Sequence, residues 1–327
     1  MSAHLKAIRR HLLAGVSATA LLAAMPATVQ AQEKPGVYGS IDGQFVITGG
    51  SATALAGTPA PITGGGTSVR PSGNGIGGGL ALGYRFMSPW DIQLGAEISE
   101  PGSTTTSSPG KFTLGRLAFA NVNTARQSTS HYLIDFDVGY NMQLGACDTR
   151  VFGGLRYADF SQQYAHSGTD TGAFYGYYSY SHEAYSRQVT FHGIGPVLGA
   201  SDRYHIGNSN FSLVGMASGS VVFGTLHRTE SVTDLTKLSS FIIGSAQESS
   251  NRQDSRAVYG VQAELAVAYA LGQPLGPGPD MEVQAGYRLE QWWNVIDSGV
   301  SIGTATTGGI HGSLTEHGPF VRLKGNF

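Results

Sequence analysis

From His131 to Met142 the chain sets Tyr132, Ile134, Phe136, Val138, Tyr140 and Met142 on alternate positions, with His131, Leu133, Asp135, Asp137, Gly139 and Asn141 between them. Side chains alternate sides along a strand, so this stretch has one apolar and aromatic face and one face that carries charge. A soluble sheet buries the first face against a core. A membrane strand turns it to lipid and turns the other to the lumen of a barrel. The neighbouring segments decide between the two.

The same rhythm recurs along the chain. Val37, Gly39, Ile41, Gly43, Phe45 and Ile47 alternate with Tyr38, Ser40, Asp42, Gln44, Val46 and Thr48. Ile76, Leu80, Leu82, Tyr84 and Phe86 oppose Gly77, Gly79, Ala81, Gly83 and Arg85, and Ile92, Leu94, Ala96 and Ile98 oppose Gln93, Gly95, Glu97 and Ser99. Further strands are expected over Arg150–Tyr164, Val189–Gly199, Phe211–Phe223, Val261–Leu271, Met281–Trp293 and the closing stretch 310–327. After residue 31 no apolar run reaches the roughly 20 residues that a membrane helix needs. Only helices and closed barrels satisfy every backbone polar group in lipid, so a membrane location demands a closed barrel.

The amino terminus supplies the export signal for such a location. Lys6, Arg9 and Arg10 precede an apolar stretch from Leu12 to Met25, and Val29-Gln30-Ala31 fits cleavage after Ala31. Residues 1–31 therefore read as a signal peptide and 32–327 as the barrel domain. Its removal takes away three cations and no anion, moving the formal charge from −2 to −5, which gives nucleic acid no purchase. Forty-seven Gly, fifteen Tyr and fourteen Phe with only 13% charged residues suit strands with aromatic girdles.

Ten strands result, with eight to twelve compatible: an all-β, transmembrane, antiparallel up-and-down barrel. Long connections follow the odd strands (49–73, 101–129, a Tyr-rich loop at 174–185, and 226–255). Within 101–129, Phe112–Val122 is weakly patterned and fits a loop hairpin or a helix. Short turns follow the even strands, at Met87–Trp90, Gly145–Asp148, His205–Asn208 and Gly272–Pro279. In outer-membrane barrels short turns face the periplasm and long loops the exterior, so both termini would be periplasmic. Phe327, an aromatic carboxy-terminal residue after a two-faced strand, resembles the assembly signal of such barrels.

If the apolar faces meet lipid, the lumen receives Arg85, Glu97, Asp135, Asp137, Arg156, Glu264, Glu282, Arg288, Glu290, Arg322 and Lys324. In a porin such charges line water and bias which ions pass. In a narrow barrel they pair across and plug it. Small inward residues, Gly77, Gly79, Ala81, Gly83, Ala266 and Ala268, favour space over packing.

The blocks FHGIGPVLG (Phe191–Gly199), FSLVGMASGSVVFG (Phe211–Gly224) and MEVQAGYRLEQWWN (Met281–Asn294) resemble the pore-forming outer membrane proteins typified by the Legionella major outer membrane protein. DFDVGYNM (Asp135–Met142) and RVFGGLRYADFSQ (Arg150–Gln162) resemble that family's middle hairpin, so the resemblance covers mainly the carboxy-terminal two-thirds of the domain. It implies a porin-like barrel for passive diffusion of small solutes or ions. The alternative from the residues is a non-conducting structural or adhesive barrel that binds partners through its surface loops. Cys147 is the single cysteine; it excludes an intrachain disulfide and argues against the intermolecular disulfides of some members.

Two other motifs lose on context. Gly73–Gly78 matches G-x-G-x-x-G, yet the residues after it alternate as a strand and supply no helix for a pyrophosphate. His192 with Asp202, or His166 with Asp170, would serve a barrel-mouth hydrolase, but nothing in their spacing demands it. The chain is thus read as not an enzyme, with no catalytic residue, metal or cofactor assigned. The partners expected are outer-membrane lipid and lipopolysaccharide, the barrel-assembly machinery and small solutes or ions, with homo-oligomerisation left open.

Overall fold

The computed structural model describes residues 35–50, 53–54, 68–69, 73–114, 117–174, 177–238, 241–272, 280–297, 301–302, 305–306 and 311–327. The leader 1–31, most of 49–73, Tyr175 and the Pro/Gly turn 273–279 lie outside the described residues. Ten strands form one closed antiparallel ring. They are β1 (Gly36–Gly50), β2 (Gly73–Arg85), β3 (Trp90–Glu100), β4 (Leu117–Leu144), β5 (Cys147–Phe174), β6 (Tyr177–His205), β7 (Phe211–Leu238), β8 (Phe241–Gly272), β9 (Asp280–Asp297) and β10 (His311–Asn326). Each pairs with its chain neighbours, and β1 with β10 closes the ring through Tyr38↔Asn326 and Asp42↔Arg322. No helix among the described residues is long and apolar enough to cross a membrane.

The alternation read from the sequence matches the burial. Ile41, Leu80, Leu94, Phe136, Leu155, Leu198, Leu265, Leu289 and Val321 are exposed on the outside. Two aromatic levels flank them. Tyr84, Phe86, Trp90, Tyr204, Phe211 and Tyr269 lie near the short turns, and Phe45, Tyr132, Phe223, Tyr259 and Trp293 lie higher. Tyr259 and Tyr269 share one strand face, about 34 Å apart along it at ~3.4 Å per residue. Tilted near 45°, that distance spans the ~25 Å apolar band of an outer membrane.

The long connections are the main departure from the sequence reading. Residues 226–255, expected as loop, are the upper halves of β7 and β8, paired from Leu226↔Asp254 to Leu238↔Phe241. Residues 101–129 form a hairpin in which an extension of β3, Thr104–Leu114, pairs with the start of β4; the Phe112–Val122 piece is that hairpin and not a helix. The Tyr-rich segment is the start of β6, where Tyr177 pairs with Phe174 and Tyr185 with His166. Polar outward residues hid these strands because water, not lipid, lies outside them there. β8 has 32 residues. At ~3.4 Å each it runs on the order of 100 Å, about three times what a tilted strand needs to cross.

One irregularity shapes the interior. Asn294 in β9 has φ 65, its side-chain amide donates to the Ala257 carbonyl at 2.7 Å, and the β9–β10 register shifts between Trp293 and Ile296. This β-bulge lets Trp292, Val295 and Ile296 all be buried, where strict alternation would expose one of them.

Candidate functional site

The inward faces of β1 to β10 build a lumen in layers. At the short-turn end Asp91 is wholly buried and accepts from Arg150 Nη2 at 2.6 Å, Asn141 Nδ2 at 2.6 Å and the Tyr38 hydroxyl at 3.2 Å. Arg150 also holds Asp137, and Arg203 holds Glu282. Parity alone puts Arg150 inside, six residues before Arg156 on the same strand. Asp91, Arg203 and the Tyr38 hydroxyl were missed as site residues; Arg203 lies past the Gly199 at which strand six was expected to end.

One layer higher, two arginines tie five strands together. Arg288 donates to Glu264 at 2.6 Å, Glu97 at 2.7 Å, Gln44 at 3.1 Å and Asp42 at 3.3 Å. Arg322 donates to Glu264 at 2.9 Å and Asp42 at 3.3 Å. Arg156 grips Asp135 bidentately at 2.7 and 2.6 Å and reaches Gln262 at 3.3 Å. Such forked pairs are the strongest side-chain hydrogen bonds, and they offset much of the cost of taking these charges from water. A cavity of about 350 Å³ lies among them, lined by Ser40, Asp42, Glu97, Arg150, Arg203 and Arg322.

The next layer crosses the barrel. His131 on β4 lies 3.5 Å from Glu290 on β9, five strands away round a ten-strand ring, and 3.5 Å from Glu316 on β10. Gln262 on β8 donates to Glu97 on β3 at 3.3 Å, again over the full diameter. Above this, Phe160 meets Trp292 edge-on at 4.9 Å, and Leu133, Phe191, Leu226, Val258 and Leu314 complete a dry apolar cluster. Trp292 and Phe191 are 1% exposed, and Leu226 and Leu314 0%.

All eleven charged residues placed on the lumen face by the sequence point inward. Arg85 stacks under Tyr38 with its guanidinium 5.3 Å from the ring, and Lys324 lies 5.8 Å from the same ring. Of the small inward residues, Gly79 and Ala81 line the cavity, whereas others hold no open space. The position a side chain would take at Gly83 is filled by the Tyr38 ring, at Gly260 by the Trp292 ring, and at Gly77 by Val46. They are seats for large side chains from the neighbouring strand.

Above the apolar cluster the inner face turns mixed again. Arg187 lies 5.8 Å from the Tyr164 ring, and the Tyr185 hydroxyl donates to Glu230 at 3.0 Å. Burial pushes both phenols well above the ordinary tyrosine value, so they stay neutral. The hydrolase pairs are not assembled. His192 stacks on His227 of β7 at 5.2 Å, while Asp202, ten positions along β6 and about 34 Å away, accepts from Thr149 at 2.5 Å. His166 and Asp170 lie four positions apart on one extended strand, on the order of 13 Å. Phe327 is exposed, and its backbone N–H donates to the Val37 carbonyl at 2.8 Å.

A closed antiparallel ring with an apolar outer band, aromatic levels and a charged interior defines a β-barrel protein of the bacterial outer membrane. Residues 51–327 match the family model described as Legionella pneumophila major outer membrane protein precursor, and the chain belongs to that family. Similar solved structures include the outer membrane protease OmpT from Escherichia coli, at 12% identity and TM-score 0.44, covering 93% of this chain and 99% of that one. Neisserial surface protein A (NspA) is similar at 9% identity and TM-score 0.27, covering 90% and 100%. The Pseudomonas putida toluene transporter TodX is similar at 9% and 0.26, covering 94% and 93%. No curated protein matches the chain.

Proposed function

We propose that the protein is a pore-forming outer-membrane barrel whose resting state is shut. Ions and the smallest polar solutes cross when the bridged layer around His131 and Trp292 parts. The observation that carries this is the charged chamber of about 350 Å³ inside the membrane-spanning part of the wall. A core built only for stability is packed to crystal density and avoids ionised groups. This interior keeps a water-sized space lined by both signs of charge, the lining that lets ions dwell and leave. A general diffusion pore does not fit, since cross-diameter contacts occupy the layer above.

A second reading, a barrel that never conducts and works through its surface, is favoured by those same contacts and by five strands that continue far past the membrane. Planar-bilayer recording separates the two. Wild-type protein is expected to give brief, small conductance steps. Trp292→Ala, which removes the centre of the apolar layer, is expected to lengthen the openings by at least tenfold. Wild-type and variant barrels that are both folded on heat-shift gels and both silent at every voltage would leave the non-conducting reading standing. Neither reading includes catalysis, and hydrolysis abolished by one His or Ser replacement would overturn that part.

A further inference from the structure

Where the charged chamber ends, four side chains from four strands converge: Glu97 of β3, His131 of β4, Glu290 of β9 and Glu316 of β10. One ligand atom each from Glu97, His131 and Glu290 lie within 4.8 Å of one another. The imidazole is held between two carboxylates, Nε2 3.5 Å from Glu290 and Nδ1 3.5 Å from Glu316. Those distances are too long for hydrogen bonds. The His131 side chain is 0% exposed, yet among the described residues neither of its ring nitrogens has a hydrogen-bond partner, and Oε1 of Glu316 has none either. Unsatisfied buried groups of this kind are costly and rare, so they need an explanation.

Charge points the same way. Glu97 has the Arg288 guanidinium at 2.7 Å, and Arg156 is committed to Asp135. Among the described residues, Glu290 accepts from the neutral donors Gln262 at 3.3 Å and Trp292 at 3.4 Å, and Glu316 from the Ser99 hydroxyl at 2.5 Å. The two carboxylates, Glu290 and Glu316, thus flank a single imidazole and outnumber the charge it can supply, and a bound dication would offset the remainder.

We propose that this cluster binds one divalent transition-metal ion of the zinc class, ligated by His131 Nε2, Glu290 and Glu97. Imidazole nitrogen beside carboxylate oxygen suits zinc, and hard cations such as calcium prefer an all-oxygen shell. Glu316 is a positioning residue: its carboxylate faces the second ring nitrogen, where metal-bound histidines place a carboxylate that fixes tautomer and ring angle. Ser99 in turn fixes Glu316. The ion would tie β3 and β4 to β9 across the lumen. Its binding does not depend on whether the barrel conducts.

The experiment uses the whole untagged barrel folded in detergent, stripped with a chelator, exposed to zinc sulfate, desalted and analysed for metal by mass spectrometry. About one zinc per barrel is expected in the wild type. His131→Gln and Glu290→Gln, checked for folding by heat-shift gels, should retain at least tenfold less. Glu316→Gln should weaken affinity 10- to 100-fold in competition with a chromophoric chelator. His192→Asn with His227→Asn, which removes the stacked surface pair, should leave the retained zinc unchanged. If the lumen variants do not fold, X-ray absorption on the zinc-loaded wild type reads the ligands directly, with one imidazole among oxygen ligands expected. No retained zinc, retention undiminished in His131→Gln, loss on removing the surface pair, or a shell with no imidazole or several would each overturn the site.

Discussion

The lower and upper parts of β8 are one strand with two surroundings. Below, Tyr259, Val261, Leu265, Val267, Tyr269 and Leu271 stand outward; above, the outward residues of the same face are Ser249, Asn251, Gln253 and Ser255, all exposed. The ladder to β7 runs without a break from Phe211↔Tyr269 to Thr236↔Gly244. The inward residues change as well, from Glu264 and Gln262 to the apolar Val258. Backbone hydrogen bonding sets how long the strand is, and the outward side chains report only what lies beyond the wall. A hydrophobic pattern therefore measures the membrane and not the element.

The contrast between the lumen lattice, the lipid-facing band and the polar wall can be tested by single substitutions. The largest effect is expected inside: Arg288→Ala leaves Glu97 without its guanidinium and thins the support of Glu264 and Asp42. Removing one partner of a buried ion pair costs about 3–5 kcal/mol, and urea unfolding of the folded barrel should show a loss of that size. Next, Leu265→Arg in the band should cost about 2–4 kcal/mol, while Asn251→Arg on the same face of the same strand should stay within ~0.5 kcal/mol. Equal losses at the two positions would mean that the upper wall also meets lipid. The smallest effect concerns pH. Burial holds His166, on β5 above the band, below the ordinary histidine value. The unfolded segment thus binds the proton first, so stability is whole above about pH 6.5 and falls as pH drops toward the folded-state value. The loss should be well under 1 kcal/mol because the ring is partly solvated. After correction for the intrinsic exchange rate, which itself falls with pH, amide protection near the β5 tip should weaken on acidification, and His166→Asn should remove that weakening.

Strand identity in the band was legible because lipid forces period-two alternation, and the turn signals Gly145 and Gly207, both with positive φ, set the joins. The lumen face followed from parity: every charge from Arg85 to Lys324 that alternation turned inward lies inside. The upper hairpins were not legible, since with water outside and a mixed interior the period-two signal fades. Nor was closure of the lumen. Counting Gly77 and Gly83 as small says nothing about which neighbour fills them, and His131 meets Glu290 only because their strands stand opposite in the ring. The bulge at Asn294 was invisible for the same reason, a local backbone choice made by a distant carbonyl.

The β1–β10 seam has a consequence for the order of assembly. Every other pairing in the ring joins strands adjacent in sequence, so each can form by zipping up from its own connection, whereas Arg322 reaches Asp42 over 280 positions. Closing so distant a pair carries the loop entropy of the whole chain and is slow. Arg288 and Arg322 both grip Asp42 across that seam. Asp42 is thus a latch for the last step, and Asp42→Asn should slow the final closure in refolding kinetics more than it slows formation of the β7–β8 hairpin.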